Sequence, residues 1–246
     1  MAEIAAAAAA PSDARLADLA AGSVDVLRQA VRQFGKVVYA SSLGAEAIVL
    51  ADLIWTQVPE IDIVTIDTGR LPEETLELLE RLERRYRKRV RVIYPDAEQV
   101  EHFVSANGIN GFYLSLEARQ ACCHVRKVVP FRKIVAGYAA WVTGVRRDQS
   151  EARARNAVVA QDDRYGLAKV SPLLDWSEAD VWGYIRAHKL PYNVLHDRNY
   201  PSIGCAPCSR AIEPGQDQRA GRWWWENPDT RECGLQPRQP RVASHS

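Results

Sequence analysis

The sequence predicts an α/β fold, a doubly wound and mostly parallel sheet finished by a loop-rich C-terminal segment. Three observations carry this expectation. Short apolar runs of strand length alternate with helical patterns through the first half of the chain. Such strands, separated by helices, belong to a sheet covered on both faces. Polar turns follow three of the strands, where ligands of such sheets bind.

The elements follow in order. Residues 36–40, KVVYA, are the first strand, and the small-residue turn SSLGAE (41–46) comes next. AIVLADLIW (47–55) has helical length and apolar richness. IDIVTI (61–66) is the second strand and ends at DTGR (67–70). Residues 71–88 form a strongly amphipathic helix, with Leu71, Thr75, Leu78, Leu79, Leu82 and Tyr86 at three-to-four spacing. Pro72 suits its first turn, and Glu73 and Glu74 suit the positive end of its dipole. RVRVIYP (89–95) is a third strand; AAWVTGV (139–145) is a fourth, ending at RRDQS (146–150). A further helix spans about 177–188, with Asp175 or Ser177 as its cap and Glu178 or Asp180 in its first turn. After Pro191 the chain is rich in Gly, Pro, Trp and charge and loses its period. The division expected is a flexible N-terminal tail at 1–15, an α/β body at 16–212 and a mobile C-terminal segment at 213–246.

Composition bounds the class. The chain has 246 residues, with 32 Lys plus Arg against 31 Asp plus Glu, so its formal net charge is +1. That excludes a polycation coating nucleic acid by charge alone, and neither nucleic acid nor membrane is expected as a partner. No apolar run approaches the ~18–20 residues that span a bilayer. The N-terminal alanine run has no basic residues ahead of it and is too weakly apolar for a signal peptide, so a cytoplasmic protein is expected. Oligomeric state, a homo-oligomer included, is left open.

The cysteines are five: Cys122, Cys123, Cys205, Cys208 and Cys233. An odd number without a signal peptide argues against a secreted disulfide framework. A vicinal pair and a CAPC pair, with 81 residues between them, read as a metal or cluster site. A CxxC knuckle lets both sulfurs face one zinc, whereas a vicinal pair reaches two irons of a larger group more easily. Iron–sulfur, zinc and plain structural or redox thiols all remain open on spacing. Cys233, in a polar stretch near the end, is either a fortuitous surface thiol or a nucleophile alternating between partners.

The turns and the arginines suggest an anionic ligand. Ser41, Ser42, Gly44 and Glu46 lie in a strand-to-helix turn, where backbone N–H groups meet anions; a plain connecting loop is the alternative. Asp67, Thr68 and Gly69 could meet a ribose or base, or cap the next helix. Arg146, Arg147, Arg153 and Arg155 cluster after the fourth strand, Arg126 and Lys127 follow the vicinal cysteines, and Arg219 and Arg222 precede three tryptophans. Each cluster sits beside a loop or a cysteine pair, which favours a small anion with several oxygens over a solvated face. Trp223, Trp224 and Trp225 cannot all face a core, so one should cover a ligand, a partner or a cluster. His124 and His196 are weak site candidates, more readily read as ordinary surface or capped histidines.

Together these segments resemble the sulfonucleotide reductases of sulfate assimilation, specifically the cluster-containing adenosine 5′-phosphosulfate (APS) reductases. SSLGAE, DTGRLPEET, CCHVRKVVPF, GVRRDQS, PLLDWSEADVWGYI, LPYNVLH, YPSIGCAPC, RAGRWWW and ECGL occur in that order across residues 35–236. The resemblance implies an adenine nucleotide α-hydrolase-like fold and thioredoxin-dependent release of sulfite and AMP through an S-sulfocysteine. It implies a [4Fe-4S] cluster on Cys122, Cys123, Cys205 and Cys208, and Cys233 as nucleophile. It places Lys127 between cluster and substrate and gives Arg219 and Arg222 the phosphosulfate. An arginine of 146–155, with Arg147 and Arg153 the candidates, should join them. Ser41, Ser42, Gly44 and Glu46 fall on the family's nucleotide turn. Two departures stand out: Ala47 replaces the family's usual Asp, and Gln236 replaces the histidine after ECGL. Glutamine still donates a hydrogen bond but carries no proton or positive charge.

Rival readings are an ATP-using adenylyltransferase or pyrophosphatase, a zinc-stabilised binding module, and a reductase of the 3′-phosphorylated nucleotide. The first lacks the SGGxDS turn it needs.

Overall fold

A computed structural model describes residues 11–149, 151–227, 230, 231 and 235. Six strands form one sheet in the order β3-β2-β1-β4-β6-β5. They are β1 (Val37–Ser41), β2 (Asp62–Ile66), β3 (Arg91–Ile93), β4 (Ala140–Val142), β5 (Val159–Asp162) and β6 (Leu167–Val170). Every neighbouring pair is parallel except β5 with β6. The sheet is therefore the doubly wound, mostly parallel one that the sequence predicts, and β1 to β4 lie within one or a few residues of the predicted runs. Val37 and Tyr39 of β1 enter the core on one face, and Val38 enters the core on the other, as the two-residue period of a strand requires.

Helices cover both faces. They are α1 (Asp13–Phe34), α2 (Ala45–Gln57), α3 (Glu73–Tyr86), α4 (Ala97–Asn107), α5 (Leu116–Cys123), α6 (Val129–Val135), the short α7 (Glu151–Ala154) and α8 (Glu178–Ala187). Helices α1, α2 and α8 pack together on the first face, and α6 packs on β1 and β2 from the second. Helix α3 buries Thr75, Leu78 and Leu82 and leaves most of its charges in water. Among the described residues no helix is long and apolar enough to cross a membrane.

The sequence predicts no element at α1, at α4 through α7, or at β5 and β6, and three features of these bear on the fold. Helix α1 begins at Asp13, capped by Ser12, and so takes the last three residues of the expected tail; residues 1–10 lie outside the described residues. Its apolar stripe (Leu16, Val24, Leu27, Ala30) is buried, and that packing orders the helix. The β5–β6 hairpin was not foreseen. It closes on Gly166, at φ 67°, and Arg164 pairs with Asp162 across the turn. Helices α5 and α6 join through a π-helical turn, His124–Val128. Pro130 has no N–H to give the usual partner four residues back, and the wider turn absorbs that loss.

The strand order positions the site. The chain runs outward from β1 to β2 and β3, then returns to place β4 on the other side of β1. A crevice opens where such an order reverses, beyond the carboxyl ends of β1 and β4.

Candidate active site

That crevice holds a cleft of about 300 Å³. Its floor is the turn after β1. Leu43 adopts φ 58°, a left-handed conformation rare for a bulky side chain, and its N–H donates to the Ser41 hydroxyl. Gly44 begins α2 in extended backbone and offers no side-chain cap, so the first amides of α2 are set to meet an anion. Glu46, in that first turn, accepts from Arg146 Nε and Gln149 Nε2, each at 2.9 Å. Ala47 stands beside it, buried and on the cleft wall.

The turn after β2 links two places. Asp67 accepts from the Gly69 N–H at 2.8 Å, and Gly69 needs its φ of 69° to make the turn. Thr68, fully buried, lies 3.2 Å from Cys205 Sγ through its hydroxyl, and its carbonyl accepts from Arg126 at 2.7 Å. The Ala206 N–H donates to the Arg70 carbonyl at 2.8 Å, tying the CAPC loop to the same turn. Thr68 lines the cleft; Asp67 and Gly69 stand behind it as the turn's scaffold.

The cysteines converge. Cys122, Cys123, Cys205 and Cys208 line one small pocket together with Arg70, Arg119, Arg126, Lys127 and Trp223. Helix α5, capped by Ser115, carries the first pair at its end, and a single 3-10 turn (Ala206–Cys208) carries the second. Burial, with Cys205 and Cys123 close by, pushes the Cys208 thiol up to about 12. Burial would raise Cys205 too, but Lys127, the Thr68 hydroxyl, Arg222 and Arg126 outweigh it and bring that thiol down. Among the described residues, no three His, Cys, Asp or Glu side chains converge on one point as ligands of a single metal ion do.

Lys127 and Trp223 line both the cleft and the cysteine pocket. Arg222 is buried beside them, donating to the Cys208 carbonyl at 3.2 Å and to the Ser202 hydroxyl at 3.4 Å. Its guanidinium fills the space beside Gly204, where an added Cβ would stand 2.2 Å from Nη2. Arg219 lines the cleft and also donates to the Arg231 carbonyl. Of the three tryptophans, Trp223 is the buried one.

Most of the expected residues therefore meet. Ser41, Ser42, Gly44, Glu46, Thr68, Lys127, Arg153, Arg219 and Arg222 line one cleft. Arg147 does not. It pairs with Asp175 at 2.6 Å and donates to the carbonyls of Ala154 and Asn156, holding the loop behind Arg153. Cys233 and Gln236 lie outside the described residues, while Leu235 lines the cleft. Gln149, Gln218 and His196 also line it. Gln149 was visible only as part of RRDQS, and Gln218 carried no sequence signal. Burial lowers the basicity of His196, which is half-buried against Trp182.

Known proteins resemble this chain in sequence and fold. The phosphoadenosine phosphosulfate reductase domain family matches residues 36–211. The adenosine 5′-phosphosulfate reductase of Allochromatium vinosum is 52% identical over 89% of this chain and 88% of its own. That of Burkholderia cepacia is 49% identical over 85% of this chain and 84% of its own. The phosphoadenylyl-sulfate reductase structure from Candida auris, a phosphate complex, superposes with a TM-score of 0.67 at 25% identity, covering 84% of this chain and all (100%) of that one. An FMN adenylyltransferase of Candida glabrata shares the fold alone, at 15% identity and a TM-score of 0.59, over 97% of this chain and 83% of its own. The chain belongs to the phosphoadenosine phosphosulfate reductase domain family.

Proposed function

We propose that this chain is an oxidoreductase of sulfate assimilation that reduces APS to sulfite and AMP, with Cys233 as nucleophile and thioredoxin as the dithiol reductant. One observation carries the reading. An arginine-lined cleft at the switch point and a four-cysteine pocket share a wall, Lys127 and Trp223, in a chain half identical to proteins named for that reaction.

The chemistry starts at the sulfur. Sulfate resists attack because oxyanions surround it; in APS, AMP is a competent leaving group. The Cys233 thiolate attacks sulfur, the S–O bond to AMP breaks, and a Cys-S-SO₃⁻ enzyme forms. A partner thiolate then attacks Cys233 Sγ and expels sulfite, and the partner's second thiol resolves the mixed disulfide. The partner is oxidised by two electrons and the sulfur reduced by two. An ordinary cysteine has pKa ~8.5, so neighbouring cations raise its thiolate fraction. Lys127, Arg219 and Arg222 serve there and neutralise the sulfonate oxygens; Arg153 joins them from the far wall. The α2 N-terminus and the Ser41–Ser42 hydroxyls hold the nucleotide phosphate. Leu235, two residues beyond Cys233, lines the cleft, which supports the thiol's access to it.

The cysteine pocket suits a [4Fe-4S] group. Its lining brings all four cysteines together, and four cysteine thiolates are the donor set of such a cluster. Four cations surround them, and the buried Trp223 Nε1–H has no acceptor among the described residues. When bound, the cluster supplies a fixed charge distribution that tunes the adjoining cleft and transfers no electrons. By the family resemblance, the two cysteine pairs favour the substrate without a 3′-phosphate.

Anaerobic purification with iron analysis, then sulfite release from each sulfonucleotide with reduced thioredoxin, tests this. About four irons per chain and faster turnover of APS are expected. A colourless, iron-free protein would overturn the cluster, and sulfite release by Cys233→Ser would overturn the nucleophile.

A further inference from the structure

Among the described residues, the stretch 219–227 lends Arg219, Arg222 and Trp223 to the cleft and Trp223 to the cysteine pocket, with no α-helix or extended strand to hold it. Its backbone makes one isolated bridge, Ser209 with Arg222, and a few turns. Trp223 sits at φ 43°, a left-handed conformation that costs a bulky residue energy unless its surroundings impose it. One of the side chains packed against it comes from α5. Arg119, on α5 one helical turn before Cys123, is 2% exposed. Its guanidinium lies against the Trp223 ring at 4.9 Å, forks onto both carboxylate oxygens of Glu226 at 2.7 and 2.8 Å, and donates to the Thr230 carbonyl at 3.0 Å. Glu226 is as hidden, with its side chain 6% exposed. A planar guanidinium holds such a fork with defined orientation, which a lysine cannot. The loop is then closed from within. Arg231 donates to the carbonyls of Trp224 and Glu226, and Arg219 donates to the Arg231 carbonyl.

We propose that Arg119 and Glu226 are positioning residues for the reaction: their buried ion pair locks the stretch 219–227 onto the cysteine-bearing helix and sets where Arg219, Arg222 and Trp223 stand in the cleft. Neither residue touches the nucleotide cleft itself. Arg119 also lines the cysteine pocket beside Cys123, but both residues reach the cleft through the loop, which couples the helix holding the cysteine pair to the arginines facing the substrate. The reaction in this inference is the one proposed above; the lock is a separate matter that a physical probe can read.

The test uses the full chain, purified anaerobically, with Glu226→Gln and the apolar pair Arg119→Met with Glu226→Leu. The first leaves a guanidinium buried opposite a neutral amide. The second removes both charges and keeps the volume, so it retains a folded protein if the first fails to fold. Two readouts are taken below the melting temperature: KM and kcat for APS at saturating reductant, and the rate of tryptic cleavage after Arg219, Arg222 and Arg231, with and without AMP. If the pair positions the loop, KM rises roughly ten-fold with a smaller change in kcat, cleavage accelerates, and AMP protects less than in the unmodified chain. A pair that only adds stability would lower the melting temperature and leave KM and cleavage within about two-fold. That result, in either variant, overturns the proposal. Should the unmodified chain fail to reduce APS, the functional reading falls, and the tryptic readout still decides the lock.

Discussion

Gly204 has no side chain because the Arg222 guanidinium occupies the place of one. Gly204→Ala should push that guanidinium out of the wall between cleft and cysteines. We expect a loss of about 1–3 kcal/mol in a denaturant titration and a raised KM for APS. An unchanged KM would mean Arg222 does not face the substrate. Arg146 and Arg147 teach a related lesson. They are adjacent in sequence and alike in chemistry, yet Arg146 turns inward to Glu46 and Asp148 while Arg147 turns to Asp175 and two loop carbonyls. A loop has no period that assigns side-chain direction, so the sequence marked the cluster without sorting its members. The cysteines were easier to read, because two tight pairs announce a shared site wherever the fold brings them. The single-cation supports, Arg119 above all, announced nothing: an arginine in a helix reads as surface until its partner, 107 residues away, is in view.

Among the elements, α8 is fixed by its first turn. Ser177 and Asp180 form a reciprocal cap, and Arg15 of α1 forks onto Asp180 at 2.7 and 2.8 Å. The Arg15 hydrogen bond above all holds the Asp180 carboxyl down at about 2, against an ordinary 3.8. A depressed carboxylate stabilises the fold above its unfolded pKa and loses that contribution as pH falls through its folded one. The contribution is therefore complete above about pH 4 and fades towards pH 2. Asp180→Asn should cost roughly 1 kcal/mol at pH 7 and flatten the acid limb of a stability–pH curve between those limits. In α3, Leu78 is fully buried, and Leu78→Ala should cost about 2–5 kcal/mol with no change in the denaturant slope. Strands β1 to β3 and helices α2 and α3 were legible because apolar period and polar turns agree there. The β5–β6 hairpin was not, because three of the four residues of β5 are exposed and its run carries little apolar signal.

For the whole molecule, ligand linkage gives a direct check. A nucleotide that binds only the folded chain at about 100 times its Kd adds ~2.7 kcal/mol, some 5–10 °C in melting temperature for a chain of this size. AMP should give that shift; adenosine, without a phosphate for the α2 N-terminus, should give much less. The strand order carries one more consequence, for synthesis. The chain leaves the ribosome from its N-terminus, so β1, β2 and β3 emerge and can pair long before β4 exists. Until Trp141 and its neighbours arrive, the open edge of β1 exposes the backbone of its most apolar residues, Val37 to Tyr39. An unpaired edge of that kind invites the same edge of another nascent chain. Fragments ending near residue 138 should therefore aggregate, and the yield of the full chain should depend on chaperones that shelter nascent strands more than on anything at the active site.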